Sequence, residues 1–151
     1  MQRLLYISES HIPETDAQTV VTQIVELAQI KNAKLGLTGA LLFTDKYFVQ
    51  VLEGSQQAIQ MLMVRLHTDP RHGNISVVDE SPIKCRLFPD WHMAYHGPSR
   101  FVSRRVESLL HPTSQSEQRR AADWLTDLTS EFSKMRNLSS LPRSGSIASA
   151  A

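Results

Sequence analysis

Residues 36–53, GLTGALLFTDKYFVQVLE, restrict the fold of this chain more than any other stretch. Two apolar runs, 36–43 and 47–53, are separated only by Thr44, Asp45 and Lys46, a loop of hairpin length, so they are predicted to pair as antiparallel strands. Side chains alternate along a strand, which puts Phe48, Gln50 and Leu52 on one side and Val49 and Val51 on the other. Both sides are apolar, so the hairpin belongs in a sheet covered on both faces. The second run also carries an uncharged amide, Gln50, between two valines, and a buried amide needs hydrogen-bond partners.

Around this hairpin the apolar period switches between that of a strand and that of a helix. RLLYIS, residues 3–8, reads as a strand with Leu4, Tyr6 and Ser8 on one face and Leu5 and Ile7 on the other. After Pro13, TDAQTVVTQIVELAQIKN is predicted as a helix. Thr15-x-x-Gln18 fits a capping box, Val20, Ile24, Leu27 and Ala28 recur at helical spacing, and the helix ends near Asn32. Gly54 and Ser55 close the next strand and open a second helix, SQQAIQMLMVRLH, with Ile59, Leu62, Met63 and Leu66 on its core face and Asp69-Pro70 as its stop. ISVVDESPI and WHMAYHG are predicted as fourth and fifth strands around a loop containing Pro82 and Pro89.

The order strand, helix, strand, strand, helix, strand, strand is a split β-α-β arrangement of the ferredoxin-like kind. It predicts an α+β fold with one sheet of about five strands and two helices on one face. The second apolar face needs a cover, and residues 99–136 offer two helical patterns whose apolar contacts are Phe101, Val102, Val106, Leu109, Trp124, Leu125, Leu128 and Phe132. The predicted organisation is therefore 1–97 for the sheet and its two helices, 98–137 for a helical extension packing on the sheet, and 138–151, small and polar, for a disordered tail. A length of 151 residues suits one ordinary core, and no internal repeat is visible.

Lys and Arg total 16 against 15 Asp and Glu, so no strong field attracts nucleic acid or an anionic membrane. The single cysteine, Cys85, excludes an internal disulfide and a multi-thiolate metal site, suits a reducing compartment, and reads as a buried or half-buried loop thiol. His11, His67, His92, His96 and His111 show no metal-ligand spacing. The opening MQRLLYISES lacks the features of a signal peptide, and no apolar stretch approaches a membrane span. These features predict a soluble cytoplasmic protein.

Several polar groups remain. In a split arrangement the third strand lies beside the first, so Tyr6 and Gln50 are candidate neighbours, and each satisfying the other in the core is a sufficient account of the pair. Asn32 reads as a helix cap. Arg65 and Asp69, at i and i+4, read as a weak surface ion pair, and Trp91 and Met93, two apart on the last strand, as core fillers on one face.

Taken together, Tyr6, NAKLGLTG at 32–39, FVQVLEG around Gln50, DPRH at 69–72 and FPDWHM at 88–93 resemble the BLUF domains, blue-light sensors that use FAD. The resemblance runs in order over residues 3–96, and the C-terminal extension looks like that of short stand-alone members. It implies noncovalent FAD, with FMN or riboflavin as alternatives, slotted between the two helices. Ile24 and Leu66 would pack on the ring, Asn32 would hold its pyrimidine edge, and Arg65 and Asp69 would lie near its polar side. Gln50 would bridge the Tyr6 hydroxyl and the flavin. It further implies Tyr6 and Gln50 as the photoactive pair, Trp91 or Met93 as the signal relay, and the C-terminal helices as the output surface. The implied partners are a downstream effector protein or further copies of the chain as a homo-oligomer, through which Arg104, Arg105, Arg119 and Arg120 could act; no nucleic acid, membrane, metal or enzymatic turnover is expected. Two other readings compete with this one: a flavin-free ferredoxin-like interaction module, and a flavin oxidoreductase, which would need a substrate pocket where Tyr6 and Gln50 stand.

Overall fold

The computed structural model describes residues 1–97, 100–111 and 114–139. The elements run β1 (Gln2–Ser10), α1 (Ala17–Leu35), β2 (Thr38–Phe43), β3 (Tyr47–Gly54), α2 (Gln56–His67), β4 (His72–Pro82), β5 (Ala94–His96), α3 (Arg100–Leu110) and α4 (Gln115–Ser139). The strands form one sheet in the order β4-β1-β3-β2-β5. All neighbours are antiparallel except β5, which runs parallel to β2. This is the predicted α+β fold with its ferredoxin-like order.

The alternation read in β3 creates two cores. On one face Tyr6, Leu41, Phe48 and Leu52 meet Val21 and Val25 of α1 and Ala58 and Ile59 of α2. On the other, Leu5, Ile7, Val49 and Val51 meet Val102 and Val106 of α3 and Ala122 and Leu125 of α4. Trp124, Leu109, Leu128 and Phe132 pack at the margin of this outer core, so the C-terminal helices cover the face they were expected to cover. Gly39 of β2 is required by crowding: a Cβ there would lie 2.0 Å from the Val51 carbonyl oxygen of β3.

Several boundaries and contacts depart from expectation. The capping box does not form. A turn in which the amides of Asp16 and Ala17 donate to the carbonyls of Pro13 and Glu14 leads into α1 with Asp16 at its N-cap, and the Thr15 hydroxyl donates to Asp16 Oδ1 instead. The buried stripe of α1 is Ala17, Val21, Val25 and Asn32, while Leu27 is exposed. The helix continues past Asn32 to Leu35, where Gly36 (φ 65°) forms the left-handed cap, so β2 begins only at Thr38. Ser55, in contrast, caps α2 as expected, accepting from the Ala58 amide.

Asp69 lies beyond the end of α2, so the i,i+4 geometry with Arg65 is lost and Asp69 pairs with Arg71. The fifth strand has only three residues, which leaves Trp91 and Met93 in the segment before it. They face opposite layers: Met93 is in the inner core and Trp91 packs on the outer one. Cys85 is exposed rather than buried. Residues 138 and 139 close α4, whereas 140–151 of the predicted tail lie outside the described residues, as do the side chains of His96, Phe101, Arg104 and Arg105. Among the described residues, no helix is long and apolar enough to cross a membrane, and no group of three or more His, Cys, Asp or Glu side chains could hold a metal ion.

Candidate functional site

A cleft with about 830 Å³ of empty space, part of it open to solvent, lies between α1 and α2 over the inner face of the sheet. Its walls are apolar, with Ile24, Leu27 and Ala28 from α1 facing Leu62 and Leu66 from α2. Leu41 and Phe48 form the floor. The polar groups are segregated: Tyr6, Gln50 and Asn32 at the inner end with Met93, and Lys31, Arg65, Asp69, Arg71 and His72 towards the rim. A concave apolar slot with a few fixed polar groups has the character of a small-molecule site.

The ladder register places Tyr6 of β1 directly opposite Gln50 of β3. The Tyr6 hydroxyl donates to Gln50 Oε1, and Gln50 Nε2 donates to the Met93 sulfur at 3.4 Å. The amide between two valines therefore has a strong partner on its oxygen and a weak one on its nitrogen, since a thioether is a poor acceptor. All three side chains are buried, with Tyr6 2%, Gln50 5% and Met93 1% exposed, which sets them in a low-dielectric environment where such bonds are strong. Burial, and secondarily the negative charge of Asp69, push the Tyr6 hydroxyl well above the usual phenol range, so its proton stays firmly on oxygen in the resting protein.

Asn32, expected as a cap, is instead 1% exposed inside α1, and its Nδ2 donates to the His92 carbonyl at 2.8 Å. One turn earlier Gln29 Nε2 donates to the Met93 carbonyl at 3.1 Å. The Gly39 amide holds the Trp91 carbonyl at 2.9 Å. Segment 91–93 therefore joins the two layers, with Met93 beside Gln50 in the inner core and Trp91 on the outer one. Sequence reasoning missed Gln29, because an exposed amide on a helix carries no local mark of a partner 64 residues away.

The turn after α2 builds the rim. Asp69 Oδ1 accepts from the Arg71 amide at 3.0 Å, and the Arg71 guanidinium closes on both carboxylate oxygens. The hydrogen bond from Arg71 chiefly holds the Asp69 carboxyl below its usual range, against the opposing effect of burial. Arg65 is exposed and lines the cleft, and among the described residues it forms no salt bridge. His72, the last residue of the DPRH run, bridges two elements. Its Nε2 faces the Leu66 carbonyl at 3.0 Å and its Nδ1 faces the buried Ser8 hydroxyl at 2.7 Å. A carbonyl can only accept, so Nε2 carries the proton and Ser8 donates to Nδ1. Burial, the largest influence, lowers the tendency of His72 to charge.

The residues fit a flavin. The slot between Ile24 and Leu66 is apolar, and its inner end offers a buried amide whose N–H meets a weak acceptor. Flat heteroaromatic rings with carbonyl and imine acceptors along one edge satisfy both features.

Comparison with known proteins agrees. The chain is 32% identical over 93 residues to the photoactivated adenylate cyclase subunit beta of Euglena gracilis, covering 62% of this chain and 11% of that protein. It thus spans about a tenth of the length of the curated relatives it matches. Among solved structures it is similar to BlrB, a BLUF protein in its dark state, at 31% identity and a TM-score of 0.62 over 80% of this chain and 92% of that one. The photo-activated state of BlsA shares the fold, with a TM-score of 0.70 at 23% identity over 85% of this chain and 94% of that one. Residues 1–94 match the family described as sensors of blue-light using FAD. With the cleft, the buried Tyr6–Gln50 pair and these likenesses in agreement, the chain belongs to the BLUF family of flavin-binding blue-light sensors.

Proposed function

We propose that this chain holds FAD noncovalently between α1 and α2 and converts blue light into a rearranged hydrogen bond at Gln50, without catalytic turnover of its own. FMN and riboflavin carry the same ring and are the alternative ligands. Ile24 and Leu66 flank the ring, Asn32 and Gln50 meet its polar edge, and Arg65 and Asp69 serve its polar side. The observation that carries the reading is the Tyr6–Gln50–Met93 chain, buried at the inner end of an apolar cleft.

A bound flavin excited by blue light supplies a strong one-electron oxidant. Tyr6 is the donor. Its phenol, strongly disfavoured as a phenolate by burial, becomes acidic once an electron has left, and the hydrogen bond to Gln50 Oε1 gives the proton its path. Tyr6 later recovers both electron and proton, so no net oxidation remains. Gln50 is left with its amide turned, so that Nε2 donates towards the Tyr6 oxygen and Oε1 faces Met93. Met93 then loses its donor, and segment 91–93 passes the change to Trp91 and the layer formed by α3 and α4. That layer is the output surface, read by a downstream effector protein or by another copy of the chain in a homo-oligomer, and the cyclase named in the Euglena relative is one kind of effector such a domain serves. Near-balanced charge supports neither nucleic acid nor membrane as a partner, and a cytoplasmic location suits the lone exposed thiol.

The test is a visible spectrum of dark-purified protein before and after a blue flash. A flavin band that moves slightly to the red and recovers in the dark is expected. Tyr6→Phe should remain yellow, because the slot is unchanged, and lose the shift, because the donor hydroxyl is gone. A normal shift in that variant would remove Tyr6 from the mechanism. Colourless protein that takes up no added FAD would leave the interaction-module reading in its place.

A further inference from the structure

The geometry points to Gln29 as a positioning residue, a latch that ties the backbone of Met93 to α1 and governs how fast the protein returns from its illuminated arrangement; this rests on the photosensor reading above. Met93 is bound from two ends by two glutamines. Its sulfur accepts from Gln50 inside the cleft, and its carbonyl accepts from Gln29 on the outside of α1. Strand pairing does not do this work, because β5 begins only at Ala94. The carbonyls of 91–93 are instead held by three separate donors, the Gly39 amide, Asn32 and Gln29, two of them side chains one turn apart on α1.

Of these holds, Gln29 is the one able to yield. Both bonds are half-buried, but the Asn32 bond is shorter, at 2.8 Å, and comes from a residue buried in the core, whereas the Gln29 bond measures 3.1 Å and comes from an exposed residue whose amide water can also reach. When the Gln50 amide turns, Met93 loses its side-chain anchor, and any movement of its backbone is resisted first at the Gln29 bond. Reforming that bond is then part of the return. Gln29 does not line the cleft, so it can be altered without removing a contact to the ring, which separates it from Asn32.

The experiment compares wild type with Gln29→Leu, which lacks a donor, and Gln29→Arg, which restores one. Three quantities are measured: FAD affinity, dark recovery after a blue flash, and hydrogen exchange of the 92–96 amides in the dark. Gln29→Leu should bind FAD as wild type does, exchange faster at 92–96, and recover more slowly by up to roughly fivefold, the rate equivalent of one hydrogen bond of ordinary net strength. Gln29→Arg should return both rates towards wild type. Unchanged exchange in Gln29→Leu overturns the latch whatever the photochemistry. Faster exchange with unchanged recovery, or slowing that Gln29→Arg does not reverse, overturns its role in the return. A wild-type protein with FAD bound and no light-induced shift sinks the photosensor reading itself, and the role of the latch with it.

Discussion

At the scale of single residues, the site depends on side chains whose hydrogen-bonding capacity exceeds what their neighbours supply. Gln50 can donate two hydrogen bonds from Nε2, and the chain offers it a thioether. Asn32 spends a donor on the His92 carbonyl and lines the cleft with the rest of its amide. In Asn32→Ala, polar atoms of a bound ring would lose their partner in a buried site at a cost of about 1–3 kcal/mol, so FAD affinity should fall roughly five- to 150-fold. Equilibrium titration of the apoprotein with FAD measures this. Unchanged affinity would confine Asn32 to holding segment 91–93. Gln50 was legible in the sequence, because an amide inside an apolar strand is conspicuous, whereas Asn32 read as a helix cap. The partners were not legible: the Gln50 sulfur contact and the Gln29 latch join positions 43 and 64 residues apart, and no local pattern encodes such a pairing.

At the scale of elements, the order of strands and helices followed from the switch of apolar period, while the ends and faces of several elements did not. The stripe of α1 turned out to run through Val21 and Val25 because Leu27 faces a cleft rather than a neighbouring side chain, and a helix that lines a ligand site shows apolar residues on two adjoining faces. The last strand was overestimated because segment 91–93 is as apolar as a strand but is held by side chains of α1. The junction of β4 with α2 makes a pH prediction. Burial depresses the basicity of His72 from its ordinary value of 6.5, so as the pH falls below that value the unfolded chain takes up this proton before the folded one does. The stability tied to neutral His72 is therefore complete above the unfolded value and is lost as the pH falls towards the folded one. His72→Gln keeps a donor for the Leu66 carbonyl and an acceptor for Ser8 but cannot titrate, so its melting temperature should fall less than that of wild type between about pH 7 and pH 5. Parallel profiles would assign the loss to other groups.

At the scale of the whole molecule, one sheet separates two helical layers, each with its own apolar core. Leu125 is fully buried in the outer core, so Leu125→Ala should destabilise the protein by about 2–5 kcal/mol in urea unfolding. The dark absorption band should stay where it is, because the cleft lies across the sheet. A displaced band would show that the two layers are coupled even at rest. The strand order has a further consequence, for the birth of the protein. β1 pairs only with β3 and β4, both synthesised after it, so on the ribosome it waits unpaired until Tyr47–Gly54 has emerged, and its second edge stays open until His72–Pro82 follows. Met93, which completes the inner end of the cleft, comes later still. A nascent chain therefore has no finished pocket to offer until the sheet is nearly whole, and colour is acquired at the end of folding rather than guiding its beginning.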